Sequence, residues 1–211
     1  MASEKSFRPP QQRRSAATLD RIVQAAEELL AERTFDEATV DDIVARASSS
    51  KGSFYSRFAD KEALLAYLGG ECVARAKATW AEQLGPEDHA DEPLEDVLER
   101  FVGRLLDEYR RAGGVMRALF LEARLSPGSE FEQMTDELDG HIRGALERFI
   151  ASRSDVPNKS PRLAATTTML MLDSAIREAV FYSNDRGGPL AVRPDDLRRE
   201  LVRASCAYLR G

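Results

Sequence analysis

Cysteine and histidine are scarce: the 211 residues hold 2 of each. Cys72 and Cys206 stand far apart in no metal-ligand spacing, which points to reduced thiols rather than to a disulfide scaffold or a zinc site. His89 lies among Asp88 and Asp91, a solvated loop or at most a weak cation site. No GxSxG elbow, P-loop or GxGxxG fingerprint occurs, so the sequence offers no enzyme chemistry and requires no cofactor. No apolar run reaches the length of a membrane span and no signal-peptide pattern opens the chain; the expectation is a cytoplasmic protein. Alternating β-branched runs are also scarce, which leaves little from which to build a sheet.

What is present is helical. Apolar residues make up 43% and charged residues 31%, enough for a core. The apolar positions recur at helical period between proline- and glycine-bearing breaks, and the spacing predicts an all-α fold of about nine helices. Net charge is −6, which argues against a whole-molecule attraction to nucleic acid. Residues 1–14, however, carry Lys5, Arg8, Arg13 and Arg14 against Glu4 alone, so any DNA contact is local. Residues 1–17 read as a flexible basic arm. Either it is a plain terminus, or Arg13 and Arg14 touch phosphates or a minor groove.

Leu19, Ile22, Val23, Ala26, Leu29 and Leu30 trace one face of a first helix ending near Arg33. Phe35 follows as a plug for a small core. From Thr39 to Leu65 the chain reads TVDDIVARASSSKGSFYSRFADKEALL. Val40, Ile43, Val44 and Ala47 give a short second helix one apolar face, and Thr39 with Asp42 has the spacing of a capping box. Ser48-Ser49-Ser50 interrupts the pattern with turn-forming hydroxyls. A third helix then points Phe54 and Phe58 inward and leaves Lys51, Ser53, Ser56 and Arg57 outside, with no carboxylate among them. Two short helices at a sharp turn, the second anchored by rings and anion-friendly outside, describe a helix-turn-helix.

Thr18 to Leu65 resembles the amino-terminal signature of the TetR-type transcriptional regulators. The resemblance includes the Thr-Val start of the second helix, the Ser-Lys-Gly opening of the third, Phe54-Tyr55, Phe58 and Lys61-Glu62. It implies backbone-phosphate contacts from Thr39, Ser50, Lys51, Gly52, Tyr55 and Lys61. Ser49, Ser53 and Ser56 are the exposed candidates for base edges, although short hydroxyls discriminate bases poorly. Thr34 and Ser48 stand where the family usually has glycine, in slots that tend to need a left-handed backbone.

Residues 18–65 thus form the expected DNA-binding domain, and 66–211 a helical effector-binding and dimerisation domain. Gly69-Gly70 marks a bend in the fourth helix or a close approach by another. The eighth helix begins AATTTMLML, apolar or small all round, and a helix without a polar face is buried on more than one side. The ninth presents Leu197, Leu201, Ala204 and Tyr208. The resemblance implies a dimer interface from these last two helices and a small-molecule cavity between the middle ones. Tyr67, Trp80, Phe101, Met116, Phe120, Met134, His141 and Met169 are the candidate lining, and the same set would equally fill a solid core. No carboxylate or arginine stands out as an anchor, so an apolar effector is expected. The reading is a homodimeric regulator, usually a repressor, on a palindromic operator. An activator, a low-specificity nucleoid-type protein and an all-α ligand-binding or scaffold protein with a vestigial helix-turn-helix remain alternatives.

Overall fold

Helix α1 runs Arg13–Glu32, starting well before the first large apolar residue of its stripe. Ala16 and Ala17 are strong helix formers and no glycine or proline interrupts them, so the helix extends through the end of the expected arm. The structure is a computed structural model that describes residues 7–9, 13–83, 92–157, 160–183 and 191–211. The arm 1–17 is therefore not one flexible piece. Residues 13–17 are helical, and Phe7 forms an isolated antiparallel bridge with Phe58; residues 1–6 and 10–12, and His89, lie outside the described residues.

Among the described residues there are nine α-helices. After α1 come α2 (Val40–Arg46), α3 (Lys51–Tyr55), α4 (Lys61–Gln83), α5 (Leu94–Arg111), α6 (Gly113–Leu125) and α7 (Glu130–Ser152). Then follow α8 (Pro161–Arg177), which widens into a π-helical stretch Glu178–Ser183, and α9 (Pro194–Arg210). No helix among the described residues is long and apolar enough to cross a membrane. The chain divides into two compact units, one of Met1–Val73 with Ala112–Asp136, the other of Ala74–Arg111 with Glu137–Gly211.

In the first unit, Ile22, Leu29, Phe54, Phe58, Leu65 and Leu119 have essentially no exposure. α6 supplies a wall against α1. A Cβ at Gly114 would lie 2.3 Å from the carbonyl carbon and oxygen of Leu30, so only glycine admits this approach. Arg117 Nη2 then donates to Leu30 O and Arg33 O, both at 2.8 Å. It thereby satisfies carbonyls that the end of a helix leaves open. Thr34 keeps a negative φ, against the left-handed expectation. Its amide and hydroxyl both donate to Glu37 Oε2 at 2.9 Å, closing the turn without a glycine. Gly69 is the close-approach site: a Cβ there would meet Leu119 Cδ1 and Met134 Sδ at 3.1 Å, whereas Gly70 faces open space.

In the second unit α9 packs on α5 and α8. Gly103 lies under the Arg198 guanidinium, whose Cζ would be 2.7 Å from a Cβ. Arg198 Nε pairs with Glu99 Oε1 at 2.8 Å, and Arg210 Nη2 donates to Glu95 Oε2 at 2.8 Å. On α8, Ala164, Ala165, Thr168, Leu172 and Ile176 are fully buried, while Leu163 and Leu170 are 62% and 67% exposed. The all-round apolar start thus has one exposed side among the described residues. The α9 stripe is split as well. Leu201 is buried with Val202, Ser205, Cys206 and Leu209, while Ala204 is exposed.

Candidate nucleic-acid interface

The capping box expected at α2 is formed. Thr39 Oγ1 accepts from Asp42 N at 3.1 Å, and Thr39 N donates to Asp42 Oδ2 at 3.2 Å. The Thr39 hydroxyl also donates to Asp42 Oδ2 at 2.7 Å. These bonds from Thr39 hold the Asp42 carboxyl below its ordinary range. α1 braces the far end of α2, where Arg21 Nε donates to Ala47 O at 3.2 Å.

The turn pivots on Ser48, whose φ of 47° is left-handed, as its place in the motif predicts. A non-glycine residue there costs roughly 1 kcal/mol. Ser48→Gly should raise the stability of the protein by up to about 1 kcal/mol, read as a higher urea midpoint at unchanged m value. An unmoved midpoint would mean the serine carries no strain.

Ser50 caps α3, its hydroxyl accepting from Ser53 N at 3.1 Å and lying 3.0 Å from Ser53 Oγ. Behind the helix, Phe54 and Phe58 have no exposure and their rings sit 5.5 Å apart. In front, Lys51, Gly52, Tyr55 and Ser56 are exposed; Tyr55 is 51% exposed and meets the Phe54 ring edge-on. Lys51 Nζ pairs with Asp41 Oδ1 at 2.7 Å, and this bond raises the ammonium above its ordinary pKa. Both partners are solvated, so the pair is weak and a phosphate can replace it.

Three expected contacts sit differently from their sequence reading. Ser49 Oγ is buried and finds no hydrogen-bond partner among the described residues; it faces inward and is not an exposed base-reading group. The Ser56 hydroxyl donates back to Ser53 O at 2.8 Å, as a helical serine readily does. Lys61 Nζ donates to Phe35 O at 2.7 Å and lies 4.2 Å over the Phe35 ring, so its ammonium already ties the head core together. Arg13 and Arg14 belong to the first turn of α1, and their side chains lie outside the described residues.

The sequence reading missed Phe7, and with it the contacts that Arg57 and Tyr67 make beside α3. Phe7 packs 5.5 Å from the Phe58 ring and 4.6 Å from that of Tyr67. Arg57 Nη1 donates to Arg8 O and Pro9 O at 3.2 and 3.1 Å. Phe7 is the lone aromatic of a polar, proline-flanked stretch, the one local sign that this stretch has a docking point. Tyr67 is consequently part of the head, against Phe7 and Phe58, and not the cavity-lining residue it was expected to be.

The other proposed ligand contacts divide between the units. Met116, Phe120 and Met134 belong to the first, and Trp80, Phe101, His141 and Met169 to the second. Trp80 and Phe101 are buried ring against ring, 4.9 Å apart, which is plain core packing. His141 Nε2 is buried without a hydrogen-bond partner among the described residues. The head core holds a void of about 10 Å³ between Leu30, Phe35, Ile43, Lys61 and Leu64, room for no more than a water. Contrary to expectation, the second unit does bury a carboxylate. Asp173, 6% exposed, accepts from the Tyr109 hydroxyl and pairs with Arg177. Among the described residues no cluster of three or more His, Cys, Asp or Glu could hold a metal.

Residues 22–68 match the model for bacterial regulatory proteins of the tetR family, and residues 93–209 match the tetracyclin repressor-like C-terminal domain. The chain belongs to the tetR family of bacterial regulatory proteins. It is 28% identical over 215 residues to the HTH-type transcriptional regulator EthR of Mycolicibacterium smegmatis (strain ATCC 700084 / mc(2)155), covering 99% of this chain and 94% of that protein. It is also 28% identical over 151 residues to the uncharacterized HTH-type transcriptional regulator YerO of Bacillus subtilis (strain 168), 64% of this chain and 50% of that one. The chain thus spans about half the length of this Bacillus relative, and 43% of a second, the uncharacterized regulator YvdT. A tetR-family regulatory protein from Rhodococcus RHA1 superimposes with a TM-score of 0.69 at 20% identity, over 92% of this chain and 96% of that one. The MbdR regulator from Azoarcus sp. CIB gives 0.68 at 20% identity, over 92% and 98%. These structures share the fold. The family and the relatives are transcriptional regulators, not enzymes.

Proposed function

We propose that this chain is a homodimeric, cytoplasmic transcriptional repressor that binds a palindromic operator and is released by a small molecule. The observation that carries the DNA-binding part is the division of α3. Phe54, and Phe58 just past the helix end, are wholly buried, while Lys51, Gly52, Tyr55 and Ser56 face outward. Phosphate contacts from Lys51 and Tyr55 then position the helix in a major groove. The dimer reading is supported by α8, where Leu163 and Leu170 stand exposed at i and i+7 on one face. Leu201 is set aside as an interface residue, since it is buried within the protomer.

Release follows from spacing. Paired recognition helices must stand about 34–36 Å apart to enter successive major grooves. A ligand that prefers another spacing by about 3 kcal/mol lowers operator affinity more than a hundredfold. The Tyr109–Asp173–Arg177 cluster removes the sequence-based ground for restricting that ligand to apolar compounds.

The test is a mobility shift on DNA from upstream of the protein's own gene against unrelated DNA of equal length, with Lys51→Ala and Leu170→Glu alongside. The upstream fragment should bind in preference. Lys51→Ala should lose about one unit of salt slope, and Leu170→Glu should sediment as a monomer and bind weakly. A dimeric, fully binding Leu170→Glu would refute the α8 interface, and no shift at low salt would refute DNA binding. The inward Ser49 and the back-bonded Ser56 favour one second reading, a binder with little sequence preference. Equal affinity for both fragments would select it.

A further inference from the structure

The short stretch from Phe7 to Pro9 is fastened to the recognition helix more firmly than a terminal segment needs to be. Arg8 N donates to Arg57 O at 2.9 Å, and the Arg57 guanidinium returns two hydrogen bonds to the carbonyls of Arg8 and Pro9. The Phe7 ring is wedged between Phe58 and Tyr67. Arg57 immediately follows Ser56, the C-cap of α3, so the strap is pinned where the DNA-facing helix ends. Between the two pins stands Arg8, whose side chain is exposed. Among the described residues no carboxylate pairs with it.

Terminal residues ordinarily stay unordered unless something ties them down. A cation on such a terminus must lose its freedom when it meets DNA, and that loss weakens the contact. Here the backbone on either side of the cation is ordered beforehand. We infer that Phe7 is a positioning residue that holds Arg8 against a DNA phosphate beside the groove entered by α3, with Arg57 serving as the clamp of the strap and not as a DNA contact. The inference rests on the DNA-binding reading of α3 and adds to it a contact from a segment outside the helix-turn-helix. A plain apolar plug over Phe58 would explain the ring but predicts that Arg8 is silent.

The experiment is a salt titration of binding to a short random-sequence duplex, because phosphate contacts do not depend on sequence and each contributes about one unit to the slope. Arg8→Ala should lose about one unit. Phe7→Ala, which removes no charge, should lose the same unit, and Phe7→Leu should restore it by keeping an apolar anchor. Arg57→Gln should again lose one unit, and the Arg8→Ala/Arg57→Gln double variant no more than one, since both act through a single contact. A wild-type slope in Arg8→Ala overturns the inference outright. Loss in Arg8→Ala with a wild-type slope in a folded Phe7→Ala overturns the positioning role. Should Phe7→Ala not fold, Arg57→Gln decides, and a double variant that loses two units shows that Arg57 contacts DNA independently and overturns the clamp. Failure of the wild-type protein to bind any duplex at low salt overturns the DNA-binding reading itself, and the strap with it.

Discussion

Alanine at Gly114 is expected to destabilise the protein by about 3 kcal/mol or more, beyond the usual cost of one extra methyl in a core. The added Cβ would sit 2.3 Å from Leu30 C and O and 2.6 Å from Ala31 N. These are backbone atoms of α1, held by its own hydrogen bonds, so no rotamer change relieves the clash. α6 must lift away, and Arg117 then loses Leu30 O and Arg33 O. Gly140→Ala is the control. It also lies inside a helix, but nothing stands within 4 Å of its Cβ, and alanine there should be neutral or stabilising by up to about 1 kcal/mol. Urea titration of the pair checks both. A Gly114→Ala protein as stable as wild type would mean that α6 does not press on α1 as described.

The second large effect is expected at Asp173. Its carboxylate takes the Tyr109 hydroxyl and the Arg177 guanidinium in a site where Asp173 is 6% and Tyr109 4% exposed. Asp173→Ala removes the acceptor both were built around and should cost about 3–5 kcal/mol, the range for breaking one side of a buried pair. Asp173→Asn keeps an acceptor for the hydroxyl and should cost less. Thermal melts of the two variants give the comparison; equal and small losses would show that water already serves Arg177.

The same site makes a pH prediction. Burial, with Asp139 acting in the same direction, pushes the Tyr109 hydroxyl well above the ordinary tyrosine range. A group whose pKa is raised on folding contributes stability that is full below the unfolded pKa and lost as pH rises beyond it. The protein should therefore lose stability from about pH 10 upward, and Tyr109→Phe should lose it less steeply in melts across that range.

The head was legible because its signals are local. The Thr39–Asp42 box and the Phe54/Phe58 pair each depend on residues three or four apart, and sequence spacing alone defines them. The left-handed Ser48 was legible only through the family resemblance, in which glycine usually holds that place. What escaped was long-range or a matter of side-chain rotation. The close approach at Gly114 escaped notice, because nothing nearby in sequence tells that Leu30 presses on it. Asp173 did not stand out in the sequence, since its partner Tyr109 lies on another helix. Ser49 and Ser56 have the composition of base-reading residues, and only geometry shows their hydroxyls turned inward or back to the chain. Leu201 carries the apolar period of an interface, but packing inside the protomer produces the same period.

The reach of Arg117 to Leu30 spans 87 residues of sequence, and it sets an order of events during synthesis. At about 5–20 residues per second, α1 waits roughly 4–17 s after its own appearance before α6 is made to close over it. The helix-turn-helix is therefore not a module that completes itself first and then carries its regulator behind it. A chain interrupted before Gly113 would hold every residue proposed to face DNA, yet would keep the α1 face uncovered and its last carbonyls uncapped. Nascent chains of this protein should draw chaperones to that face, and translation stalls between α4 and α6 should yield material prone to proteolysis rather than a free DNA-binding fragment.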